Sequence, residues 1–186
     1  MNSKGILIGI LVAVAAVAVF FIGGYNSLVS KQTAVEEQGA NIDTQLQRRA
    51  DLIPNLVKTV KSYTDHESEV FSEVNKAREK LMQAGTMAEK SEANEEVTSA
   101  LNKLIAVAES YPELKSDKVY TDLMDELAGT ENRIAYSREN YNSAVADYNK
   151  AIRMFPGVFF AGMFGFEKAE LFEAAAGASE VPEVDI

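Results

Sequence analysis

The sequence predicts an all-α protein: an antiparallel, up-and-down four-helix bundle preceded by one N-terminal transmembrane helix. Three observations carry this. The run from Gly5 to Gly24 holds no charge, whereas the whole chain has a net charge of −10. Beyond the run, apolar residues recur every seven positions in several long stretches, the pattern of helices that each bury one narrow face. Trp and Cys are absent, and the prolines are only Pro54, Pro112, Pro156 and Pro182, which read as punctuation between helical segments.

Residues 1–24 form the anchor. As a helix, Gly5 to Gly24 extends about 30 Å, the thickness of a hydrocarbon core. Its backbone hydrogen bonds close internally, as lipid requires. Gly5, Ile10, Val14, Val19, Ile22 and Gly24 mark its length. A cleaved signal peptide is the rival. Ala13-Val14-Ala15 and Ala16-Val17-Ala18 resemble cleavage sites, but Val19-Phe20-Phe21-Ile22 carries the apolar run past both, longer than an ordinary signal-peptide core. No cysteine is present to be acylated.

Residues 25–156 are read as the bundle. Tyr25 sits where aromatic side chains favour the membrane interface. Leu28, Val35, Ile42 and Arg49, with Leu46, form the first seam. The seam resumes with Leu56, Tyr63, Val70 and Ala77, flanked by Ile53, Val60, Val74 and Leu81. Between the two lies Asp51-Leu52-Ile53-Pro54, an N-cap residue followed by a proline suited to a first turn or a kink. The unbroken heptad phase fits one kinked helix. A straight helix, however, would leave the first seam without a partner, which favours a tight reversal near Arg49–Leu52. Gly85 reads as a helix stop. A shorter helix follows with Val97, Leu101, Leu104, Ile105 and Ala108, ending at Tyr111-Pro112. The fourth runs through Tyr120, Leu127, Ile134, Tyr141, Tyr148 and Phe155 to Pro156-Gly157.

Residues 157–173 form a Phe-rich segment, too short to span a membrane. Phe155, Phe159, Phe160, Phe164 and Phe166 must cover something, because exposing them forfeits their burial energy. They either pack on the open end of the bundle or lie beside the membrane as an interaction or self-association patch. Residues 174–186 are small and acidic and read as a disordered tail.

The acidic balance argues against nucleic acid, whose phosphates need a basic surface. Chemistry is sparse. His66, the single histidine, stands in Asp65-His66-Glu67 without the further ligands a zinc or di-iron site needs. Gly162-x-x-Gly165 has no Lys-Ser/Thr beside it, so it is no phosphate loop. The expectation is no catalytic residue, no cofactor and no metal. Charge does occur on the seams, at Arg49, Glu67, Glu131 and Arg138. Buried charges need partners, and counting turns from a reversal near Asp51 sets Glu67 opposite Arg138. Tyr141-Asn142 and Tyr148-Asn149 repeat at seven. These tyrosines read as core residues whose hydroxyls find partners at the bundle edge.

Two blocks resemble the LemA family. The first is Tyr25-Asn26-x-Leu28-Val29 with Ile42-Asp43-x-Gln45-Leu46-x-Arg48-Arg49-x-Asp51-Leu52-Ile53-Pro54-Asn55-Leu56-Val57. The second is Thr130-Glu131-Asn132-Arg133-Ile134, Tyr141-Asn142 and Tyr148-Asn149-x-x-Ile152-Arg153-x-Phe155-Pro156, ending at Phe164-Gly165-Phe166. The resemblance implies a bacterial, membrane-anchored four-helix bundle with no settled biochemical activity. The functional expectation is a non-enzymatic, membrane-anchored interaction module, partly coiled-coil in pattern, acting as a scaffold or adaptor in the bacterial envelope. Its partners would be the membrane, through the N-terminal helix, and a protein or a second copy. The alternative is a ligand-sensing or accessory binding domain with a pocket between helices. Lys4 and the amino terminus precede the anchor, while only Lys31, followed by Glu36 and Glu37, lies close behind it. The positive-inside rule therefore favours a single pass through the cytoplasmic (inner) membrane with the bundle outside.

Overall fold

Long apolar seams become long helices in the computed structural model, which describes residues 3–64 and 67–173. Among the described residues every regular element is a helix: α1 (Ser3–Lys61), α2 (Ser68–Gln83), α3 (Met87–Glu109), the single turn α4 (Pro112–Lys115), α5 (Lys118–Arg153) and α6 (Gly157–Phe164). α1 is continuous over 59 residues. Its apolar start is not covered by the rest of the protein, and Ile10, Val14, Val19 and Ile22 are all exposed. The chain is thus all-helical, with one long apolar N-terminal helix. His66 and the tail from 174 to 186 lie outside the described residues.

The expected reversal near Arg49–Leu52 does not occur. α1 passes through Pro54 and ends at Lys61. Proline has no N–H to give the carbonyl four residues back, here that of Ala50. Arg78 supplies the missing donor: its Nε donates to the Ala50 oxygen at 2.7 Å. Leu56 and Val60 therefore belong to α1, and α2 buries Phe71, Val74, Ala77 and Leu81. This arrangement has a direct test. Arg78→Met should cost about 1–3 kcal/mol by leaving a helix carbonyl unpaired. Pro54→Ala in the same chain should recover much of it, because residue 54 again carries an N–H. Denaturant unfolding measures both, and an Arg78→Met protein as stable as the parent would contradict the account.

Contacts divide the chain into two compact units. One comprises Gly39–Asn142 and Glu170–Ile186. Its core takes Ile42, Leu46, Ile53 and Leu56 from α1, Val74 and Leu81 from α2, Val97 and Leu104 from α3, and Leu127 and Ile134 from α5. α2 and α3 are joined by a short turn that Thr86 and Glu89 close with a capping box. The Glu89 carboxylate accepts from the N–H groups of Gly85 and Thr86, and those bonds hold it below the usual carboxylate range. Lys80 pairs with Glu92 and Glu96 at one end of the hairpin, and Glu73 with Lys103 further along. Asp117 caps α5 by accepting from the N–H groups of Val119 and Tyr120. It also accepts from the Tyr63 hydroxyl at 2.7 Å, and that bond, with the two backbone donors, lowers its carboxyl pKa.

The second unit comprises Met1–Gln38 and Ser143–Ala169. Leu28 and Val35 of α1 are buried in it, as are Val145, Tyr148 and Ile152 of α5. α5 stops at Arg153, so Phe155, expected as the last seam residue, is instead 83% exposed. The Phe155–Pro156 peptide is cis. α6 then lies on the end of the apolar run of α1. Phe160 is fully buried, its ring 5.4 Å from Phe20 and 5.6 Å from Phe21. Gly24 permits this approach, since a Cβ there would meet the Phe160 ring at 2.1 Å. Phe159 stacks edge-on with Phe21 at 6.0 Å, and Phe164 and Phe166 approach Tyr25 at 5.0 and 5.8 Å.

Candidate functional site

The seam charges separate into one cluster and one outlier. Arg49 is only 4% exposed, and it is the heptad spacing of α1 that turns it inward. Its Nη1 donates to Asn94 Oδ1 at 2.6 Å and pairs with Glu131 Oε2 at 2.7 Å. Its Nη2 donates to Thr98 Oγ1 at 3.0 Å. The Thr98 hydroxyl in turn donates to the Asn94 carbonyl, one turn earlier in α3. Nε is buried without a partner among the described residues. Burial pulls the guanidinium pKa down, and Glu131 opposes that pull; arginine keeps its charge regardless.

The expected pairing of Glu67 with Arg138 is not formed. Glu67 is half-buried and immediately precedes α2. Arg138 lines an open cleft of about 310 Å³, together with Asn94, Thr98, Asn102 and Glu131, with Phe172 at its edge. Three of the four seam charges therefore gather near this cleft. The misplacement has one cause: α1 turns after Lys61 rather than near Asp51, so Arg49 and not Glu67 stands level with Glu131.

A feature absent from the sequence reading is the extended segment after α6. The tyrosine hydroxyls do find partners, and these are backbone carbonyls of that segment. Tyr148 donates to Glu167 O at 2.9 Å, and Asn149 exchanges two bonds with the Ala169 backbone, each 2.9 Å. Seven residues earlier the pattern repeats: Tyr141 donates to Glu170 O, and Asn142 exchanges two bonds with Phe172. Seven residues of helix rise about 10.5 Å, and three extended residues cover about 10 Å. The seven-residue repeat on α5 thus matches a three-residue repeat on the segment. Phe172 is 2% exposed, and Ser91 of α3 donates to the Glu173 carbonyl.

Among the described residues no group of three His, Cys, Asp or Glu is placed to hold a metal ion. Buried polar groups here serve packing and chain-clamping contacts. The described residues therefore define an all-helical fold whose first helix begins with an uncovered apolar run and whose buried polar side chains clamp the helices to one another and to the segment after α6.

The chain belongs to the LemA family, whose sequence model matches residues 38–186. It is 29% identical to magnetosome protein MamQ 2 of Paramagnetospirillum magneticum, an alignment that covers 90% of this chain and 71% of that one. It is 28% identical to magnetosome protein MamQ of Magnetospirillum gryphiswaldense, over 84% of this chain and 68% of the relative. Protein LemA of Metamycoplasma hominis is 24% identical, over 95% of this chain and 81% of its own.

Proposed function

We propose that this LemA-family protein is a membrane-anchored helical interaction module, a scaffold or adaptor of the bacterial envelope rather than an enzyme. The observation that carries the reading is the start of α1. From Ile6 to Phe20 its charge-free run is exposed without a break, and water would not tolerate that much contiguous apolar surface. The relatives that are magnetosome proteins are in keeping with a membrane-associated role. We assign the anchor to the cytoplasmic membrane with the bundle outside, on Lys4 directly ahead of the run against Lys31 alone close behind it.

For residues 39–142 the reading is an antiparallel up-and-down bundle of α1, α2, α3 and α5. Its support is the register of cross-helix pairs. From α1 into the residues just after it, the partners ascend from Asp43–Lys90 in α3 to Thr64–Tyr111 just past the end of α3. They descend on the other side, from Arg49–Glu131 in α5 to Tyr63–Asp117 at the cap of α5. The open cleft at Arg138 supports the second reading, a binding domain with a pocket between helices.

A photo-crosslinking residue at Tyr136, 66% exposed on α5, tests the interaction role in living cells. Discrete protein adducts are expected there. Absence of adducts at Tyr136 and at the other exposed bundle positions would count against a scaffold. The chain has no cysteine, so Tyr136→Cys gives a single label. An impermeant maleimide should modify it in intact cells, and modification only after lysis would place the bundle inside.

A further inference from the structure

We infer that α6 is a second bilayer-seated element, a short monotopic helix docked on the anchor with its outer face in the acyl chains of the membrane. This rests on the anchor reading above and adds a lipid-binding surface to it. From Met154 to Phe166 the chain carries no charge, and Arg153 and Glu167-Lys168 bound that stretch. Phe160 and Ala161 are buried, yet Val158, Phe159, Met163 and Phe164 stay half-exposed and Phe155 almost fully so. Such a face needs a cover.

The depth of α6 identifies the cover. Gly157 lies near Leu28, with a Cβ there 3.7 Å from the leucine side chain. Phe159 and Phe160 lie against Phe20 and Phe21, and Phe164 and Phe166 return to Tyr25. Phe20 is four residues inside the end of the charge-free run at Gly24, about 6 Å below it along a helix. That is the depth at which interfacial helices seat their apolar faces. If Gly5 to Gly24 crosses the bilayer, the outer face of α6 is continuous with the lipid-facing side of the anchor.

The backbone of α6 is suited to that setting. Lipid offers no hydrogen bonds to exposed N–H groups. The N–H groups of Gly165 and Phe166 both turn back to the Ala161 carbonyl, at 2.9 and 3.1 Å. Gly165 permits this with a φ of 74°, a conformation that glycine adopts without steric cost. At the other end Val158 donates to Met154 O and Phe159 to Pro156 O. Lys150, Arg153 and Lys168 flank the segment in sequence, where they can reach lipid phosphates. A self-association patch is the competing cover, and the same experiment separates it.

The chain has no tryptophan, so single tryptophans report without background. The full-length protein is reconstituted in phosphatidylcholine–phosphatidylglycerol vesicles that carry brominated acyl chains, with bromine either shallow or near the midplane. Val14→Trp reports the anchor, Met163→Trp and Phe164→Trp report α6, and Tyr136→Trp reports the water-exposed surface. Thermal unfolding of each variant confirms that it is folded. The expected result is strong quenching of Val14→Trp by deep bromines and strong quenching of both α6 tryptophans by shallow ones, with Tyr136→Trp unaffected. Unquenched α6 tryptophans beside a quenched Val14→Trp would overturn the inference while leaving the anchor intact. If their emission were also blue-shifted, a second copy would be the cover instead. An unquenched Val14→Trp would overturn the anchor reading and this inference together.

Discussion

Phe172→Ala is expected to lower the stability of the folded protein by about 3–5 kcal/mol, the range for removing a fully buried phenylalanine. Phe172 is 2% exposed although it lies outside any helix. Its N–H and C=O are both held by the Asn142 side chain at 2.9 Å. Tyr141 grips the carbonyl of Glu170, and Ser91 that of Glu173. With so many bonds fixing the segment, the surroundings have little room to collapse into the vacated space. Denaturant unfolding with an unchanged m-value measures the effect. A loss below about 1 kcal/mol, as surface sites give, would mean that the segment is not clamped in solution.

The second large effect is an asymmetry between Arg49 and Glu131. Glu131→Ala strands a buried guanidinium whose remaining partners are the neutral side chains of Asn94 and Thr98. A fully buried pair broken in this way costs about 3–5 kcal/mol. The Glu131 side chain is 48% exposed, and solvent screening reduces the expected cost to about 1.5–3 kcal/mol. Arg49→Met removes the charge that needed pairing and fills most of its space, so it should cost less than about 1.5 kcal/mol. Once Arg49 is methionine, Glu131→Ala should cost almost nothing further. Additive losses in the double-mutant cycle would show that the two side chains do not act as a pair.

The seams were legible in the sequence because burial imposes a period. Leu28, Val35 and Ile42 on α1, and Leu127, Ile134 and Tyr141 on α5, are buried where the heptads put them. The stops at Gly85 and Tyr111-Pro112 also begin within two residues of real helix ends, those of α2 at Gln83 and α3 at Glu109. The reversal near Arg49–Leu52 follows from the want of a partner for the first seam in a straight helix, and α5 is that partner: Arg49 meets Glu131, and Leu28 and Val35 are buried in one unit with Val145 and Ile152. The carbonyl that Pro54 leaves open at Ala50 is satisfied from α2 by Arg78, a donor that nothing local to Pro54 announces. One misplaced reversal then shifted the register by several turns, which set Glu67 rather than Arg49 opposite α5.

The clamp on residues 167–173 was hidden differently. The repeat of Tyr141-Asn142 and Tyr148-Asn149 was visible, and so was the need of each hydroxyl for a partner. The partners are main-chain atoms, which leave no mark in side-chain composition. Phe172, outside any periodic stretch, likewise gave no sign that it completes a core. For the Phe-rich segment the sequence leaves both covers open, and α6 packs on Phe20, Phe21 and Gly24 of the apolar run.

Membrane anchoring by α1 is the central claim, and alkaline carbonate extraction tests it most directly. Membranes that carry the full-length chain are washed in high salt and then in carbonate, and the protein is followed by intact mass. Attachment through apolar burial does not depend on ion pairing, so the full-length chain should stay in the membrane pellet through both washes. Full-length protein released into the supernatant, or a shortened chain that begins near Val19, would contradict the anchor and the function built on it.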